Sequence, residues 1–160
     1  MHLKHENYSY LIPSIPMDKK HIQILHSSSS SSDWVCSYYD RKIYIYDSLN
    51  NKRLHEHHKQ FLEKLFPTHD FVKNPVKFPT VQYQPNDSDC GIFTIAFATS
   101  SLFNIKPDKV KYEHKLMRSH LTNFETNVIE HFPQDSQYGV VQKVLPLAII
   151  QARETEAIRI

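Results

Sequence analysis

Cys90 is the side chain in this sequence best suited to covalent chemistry, and the residue types around it are those that activate a thiol. Residues 84–91 read QPNDSDCG. Asx and serine residues around a proline make a tight turn. Here the turn delivers Cys90 to the start of an almost wholly apolar or small-residue stretch over residues 90–103, which is expected to form a buried helix. A helix N-terminus offers unpaired N–H groups and the positive end of the helix dipole. Both favour a thiolate over a thiol, the condition for a nucleophilic cysteine. The same N–H groups can hold an oxyanion, and the side-chain amide of Gln84 is a suitable second donor. Gly91 lets backbone or substrate approach the sulfur closely. A buried structural cysteine capping a core helix accounts for the same residue types and stands as the alternative.

Other chemistry-bearing residues are weaker. His55 and His58 are three apart and can share a helix face, which is one half of a metal-binding pattern. No cysteine or carboxylate cluster completes it, so His55, His57 and His58 read as part of a solvated helix, with no metal and no cofactor expected. Cys36 lies between aromatic and β-branched residues and reads as inert packing. Two cysteines cannot build a multi-bridge framework, and two free thiols fit a nuclear or cytoplasmic setting.

The elements that must position Cys90 follow from periodicity. Residues 21–25 (HIQIL) alternate as a strand, residues 34–39 (WVCSYY) and 43–46 (IYIY) are β-branched and aromatic, and Asp40, Arg41 and Lys42 connect the latter two as a hairpin. Three strands with short links imply an antiparallel sheet. The run of serines over residues 27–32 is expected to be a flexible loop. Leu54, Phe61, Leu62 and Leu65 recur at helical spacing, and Pro67 ends that segment. A short extended piece is expected over residues 80–84 and an amphipathic helix over 108–124 with Asp108 as its N-cap, while 125–160 carries no clear pattern. The expected fold is α+β: a small, mostly antiparallel sheet packed on the buried helix that begins at Cys90, with helices on its flanks.

Lysine and arginine number 19 against 17 acidic residues, a balance without the basic patch that nucleic-acid binding needs. Residues 92–105 carry no charge, and 106–115 carry both signs, as a solvated face does. The N-terminal residues lack the apolar core of a signal peptide, and residues 140–150 are too short and too interrupted to span a bilayer. With 160 residues, a single domain over 1–160 is expected.

The string QPNDSDCGIF resembles the nucleophile motif of the ubiquitin-like-protein proteases, the SUMO/sentrin-specific group of cysteine peptidases. That family's pattern runs Gln-Pro-Asn, two variable residues, Asp-Cys-Gly and then apolar residues. Upstream, Trp34-Val-Cys and then Tyr44-Ile-Tyr-Asp47-Ser-Leu resemble its His-Trp strand and the Tyr-hydrophobic-Asp-Ser-Leu strand that follows. The resemblance covers residues 21–103 most strongly. It implies Cys90 as nucleophile, Gln84 as oxyanion-hole amide and Asp47 as the acid that orients the histidine. Trp34 would line the narrow channel for a modifier's Gly-Gly tail, while also contributing to the sheet core. It further implies hydrolysis of peptide or isopeptide bonds after that tail, with a ubiquitin-like modifier or its conjugates as partner and a monomeric chain.

The resemblance departs at one position. Where the family has histidine immediately before the tryptophan, this chain has Asp33. A carboxylate with an unperturbed pKa of roughly 3.9 is a weak base near neutrality, and its charge raises a neighbouring thiol's pKa. Its expected consequence is a catalytically impaired relative that binds a modifier without efficient cleavage. His26, at the end of the first strand, is the one nearby imaginable replacement and reads instead as a strand-end surface residue. Family domains usually carry more chain before the first strand, so a partial or decayed gene product of the mobile-element kind is a further reading.

Overall fold

The computed structural model describes residues 15–26, 33–122, 128–135 and 144–146. The serine run therefore lies outside the described residues, as does most of the chain beyond Asp135. Strands β1 (His21–His26), β2 (Trp34–Tyr39) and β3 (Ile43–Tyr46) form one antiparallel sheet in the order β1-β2-β3. The hairpin between β2 and β3 closes where Arg41 adopts φ 59° and Asp40 N donates to Lys42 O at 3.0 Å.

The period of two along each strand builds two cores. Cys36, Tyr38, Tyr44 and Tyr46 face helix α2 (Cys90–Leu102), where Phe93 and Phe97 are fully buried. Leu25, Val35, Tyr39, Ile43 and Ile45 face helix α1 (Glu56–Leu65) on the other side, against Leu62, Leu65 and Phe66. The result is an α+β arrangement of three layers with the sheet in the middle. Truncating either buried phenylalanine to alanine would remove about 3–5 kcal/mol. Helix α2 is buried along most of its surface and exposes mainly Ile95. It ends where Asn104 takes φ 58°, letting Ile105 N reach back to Ser100 O at 2.9 Å.

Several expectations need correction. Helix α1 starts at Glu56, so Leu54 packs on the core from the preceding loop. Residues 80–84, expected as a short extended piece, form neither helix nor turn, and Val81 and Gln84 are tied to Asn50 and Ser48. Asp108 caps no long helix. It sits inside a 3-10 turn (Pro107–Lys109), the chain then extends, and helix α3 (His114–Thr122) begins only after Tyr112. The reason is tertiary: Gln82 grips both main-chain groups of Tyr112, at 2.6 and 3.2 Å, and the Tyr112 ring is buried against Phe93 and Phe97. The segment 106–115 is thus no solvated face throughout. Near the end of the chain, β4 (Val128–Glu130) pairs antiparallel with β5 (Val144–Pro146), within a region where the sequence showed no pattern. No helix among the described residues is long and apolar enough to cross a membrane.

Candidate active site

The turn that presents Cys90 is held by side chains rather than by a regular element. Gln84 is 1% exposed, and both ends of its amide are engaged: Oε1 accepts from Ser48 Oγ at 2.5 Å and Nε2 donates to Asn86 O at 2.5 Å. One of the two Nε2 hydrogens remains for another acceptor. Asn86 Oδ1 accepts from the Ser88 amide at 2.9 Å, an Asx turn that the Asn-Asp-Ser sequence favours. Phe93 N then donates to Asp89 O at 3.0 Å, opening α2 with Cys90 as its first residue. Cys90 is 6% exposed and free of any disulfide.

Over this helix start lies Trp34. Its indole Cδ1 sits 3.8 Å from where a Gly91 Cβ would stand, and its carbonyl accepts from Thr94 Oγ1 at 2.8 Å. Trp34 is 39% exposed, so it is a surface ring on the α2 side of the sheet and not part of its core. Gly91 is not demanded by internal packing, since a Cβ there would make only ordinary contact. What the glycine does is keep a methyl's width open between the indole edge and the helix backbone.

Asp47 follows β3 and is buried, accepting from Leu49 N at 2.8 Å and Asn51 N at 3.0 Å. These bonds make it a turn residue, with Asn50 left-handed at φ 53°. They also aim the carboxylate rigidly and leave lone pairs unused. The Ser48–Gln84 bond ties this turn directly to the Cys90 turn. A thiol at a helix N-terminus, a buried amide, a fixed carboxylate and an overhanging indole are the parts of an acyl-transfer site.

Residues 19–135 match the family described as the Ulp1 protease family, C-terminal catalytic domain. The chain belongs to that family. No curated protein and no solved structure matches it. The Ulp1-type domain is a cysteine peptidase domain of the ubiquitin-like protease kind, and the family acts on conjugates of ubiquitin-like modifiers.

In this Ulp1-family chain Asp33 lies half-buried just before β2, and no hydrogen bond or ion pair joins it to the other described residues. His26 pairs with Trp34 across the β1–β2 ladder, which puts both side chains on the α2 side. The two rings pack with centroids 4.3 Å apart. His26 is thus an exposed strand-end residue, but one whose ring packs on Trp34. Its carbonyl accepts from His58 Nε2 at 3.0 Å and His57 Nε2 at 3.3 Å. His58 is buried rather than solvated, and burial pushes its imidazole below the usual histidine range. Among the described residues no group of three or more side chains is placed to hold a metal. Burial pushes the Cys36 thiol up to about 12, so it stays protonated.

Sequence reasoning missed a network on the far side of the Cys90 turn. The Asp89 carboxylate is buried and accepts from His114 Nε2 at 2.6 Å, from Asn86 Nδ2 at 2.7 Å and from Arg118. Burial acts to raise its pKa, but the bonds from His114, Asn86 and Arg118, with the guanidinium charge, outweigh it and hold the carboxyl below the usual range. His114 and Arg118 are spaced i,i+4 on α3, a pattern visible in sequence, but nothing local marks Asp89 as their partner. Thr94, which holds Trp34, was equally unmarked, and Ser48 stood in the quoted strand motif with nothing to name Gln84 as its partner.

Proposed function

We propose that this domain receives the C-terminal Gly-Gly tail of a ubiquitin-like modifier, free or conjugated, between Trp34 and Gly91. It holds the tail against Cys90 and hydrolyses it at most slowly. The observation that carries this reading is at Asp47: among the described residues its oxygens accept only the amides of Leu49 and Asn51, and the residue before Trp34 is Asp33. Among the described residues no imidazole bonds to the Asp47 carboxylate.

The chemistry explains why binding outlasts cleavage. A tail of two glycines carries no side chain to meet the indole edge beside Gly91. Cys90 Sγ can add to the tail carbonyl, with the oxyanion taking the spare Gln84 N–H and the first amides of α2. Cleavage then requires a proton on the departing amine. An aspartate at position 33 offers no imidazolium to supply one, so the sulfur leaves again and the bond re-forms. Loss of the base from such a site lowers rates by several orders of magnitude.

A second reading is an active peptidase in which His26 is the base; it is favoured by the contact of that ring with Trp34. Trp34 is the chain's single tryptophan, so its fluorescence reports on the channel. Titration with SUMO, ubiquitin and other modifiers ending in Gly-Gly should give a saturable change with at least one, lost when the two glycines are removed. Absence of any such change sinks the tail-binding reading. Turnover of a modifier C-terminal amide at a rate that His26→Gln lowers by about 100-fold or more would establish the second reading instead.

A further inference from the structure

We infer that His114 and Arg118 on α3 are positioning residues for Cys90, acting through Asp89 to pin the turn that carries the thiol and to neutralise the carboxylate beside it. The inference rests on Cys90 being the nucleophile, as proposed above.

Asp89 occupies the N-cap of α2, where an aspartate ordinarily accepts from its own helix's amides. Here its side chain makes no such cap bond. It turns outward to α3 and is closed off by His114, Arg118 and Asn86. Two consequences follow. The Asp89 carboxylate does not occupy the first amides of α2, where a thiolate or oxyanion needs them. And a buried negative charge one residue from Cys90 is met by a guanidinium, so its tendency to suppress thiolate formation is offset. His114 is itself braced, its ring stacked on Phe93 at 5.9 Å and 15°. The network therefore links the core of α2 to the turn before it.

The elements packed near the start of α2 carry further charges that any thiol titration must include. Asp87 and Asp89 lie in its own turn, Asp33 and His26 at the ends of β2 and β1, Asp47 after β3, and His114 and Arg118 on α3. Among these Arg118 is the permanently charged partner of the carboxylate adjoining Cys90, and with its side chain 66% exposed it can be changed without opening the core.

The test is the rate of Cys90 alkylation by iodoacetamide as a function of pH, followed by mass spectrometry on the Cys90 peptide. Arg118→Met should raise the midpoint by about half a pH unit, a modest shift because the guanidinium is largely solvated. Arg118→Lys should restore most of it, and Arg118→Glu should exceed the methionine shift. In an Asp89→Asn background, Arg118→Met should move nothing. A structural role alone lowers the melting temperature and leaves the midpoint in place, and that result overturns the inference. So does an unchanged shift in the Asp89→Asn background. If Asp89→Asn does not fold, the order Lys, Met, Glu decides, and its absence overturns the inference. No modifier is present, so a moved midpoint without tail binding defeats only the proposed function, and tail binding with a fixed midpoint defeats only this inference.

Discussion

Replacing Asp33 with histidine should convert the domain from a tail-binding site into a working peptidase. The structure supplies most of what an imidazole needs. Asp47 is buried and fixed by two amides at 2.8 and 3.0 Å, with lone pairs left for a ring N–H. Trp34, the next residue, is held through its carbonyl by Thr94 at 2.8 Å. Two effects must be separated. Removing the carboxylate alone lowers the thiol pKa, and a shift of one unit gives about tenfold more thiolate below the titration point. Adding a positioned base contributes about 10²–10⁴-fold. Asp33→Asn should therefore raise single-turnover cleavage of a modifier C-terminal fluorogenic amide by no more than about tenfold. Asp33→His should exceed Asp33→Asn by about 10³-fold, the middle of the general-base range. Equal gains for the two variants would refute the idea that a missing imidazole limits this site. So would a wild-type rate already as high as that of the histidine variant.

Four further outcomes follow from the geometry. Gly91→Ala should leave thermal stability unchanged or raise it by about 0.5–1 kcal/mol, as alanine does in a helix, while abolishing the Trp34 fluorescence response; unaltered tail binding would show that the tail passes elsewhere. Gln84→Ala strands the Ser48 hydroxyl and the Asn86 carbonyl in a buried turn and should destabilise by about 2–3 kcal/mol in urea melts, whereas a loss below about 0.5 kcal/mol would contradict the buried amide's structural share. Asp89 has its carboxyl pKa depressed in the folded state, so its contribution is fully present above the unfolded carboxylate value of about 4 and is lost as pH falls through the lower folded value; urea midpoints should drop across that window in the wild type and less in Asp89→Asn. His58 has a depressed imidazole pKa, so its contribution is present above about 6.5 and declines as pH falls through the folded value. Between pH 7 and 5 the His58→Gln variant should lose less stability than the wild type, with His21, whose pKa burial also lowers, contributing to the slope that remains.

Local pattern by itself determined the three-stranded sheet, the hairpin at Arg41 and the buried helix beginning at Cys90. Alternation and unbroken apolarity are properties of neighbouring residues, and the motif around Cys90 carried the family. What the sequence could not show is how distant polar groups pair. Ser48 lies 36 residues before Gln84, and Asp89 lies 25 and 29 residues before His114 and Arg118. Each pair exists because burial forces a polar group to find whichever partner the fold brings near. The same competition delayed α3 until after Tyr112, since a residue whose ring is buried and whose main chain is held by Gln82 outweighs local helix propensity. Trp34 and Asp47 show the divide most plainly: residue type and motif singled them out as candidates, but only the packing of sheet on helix decided that the indole stands over Gly91 and that the carboxylate meets the amides of Leu49 and Asn51.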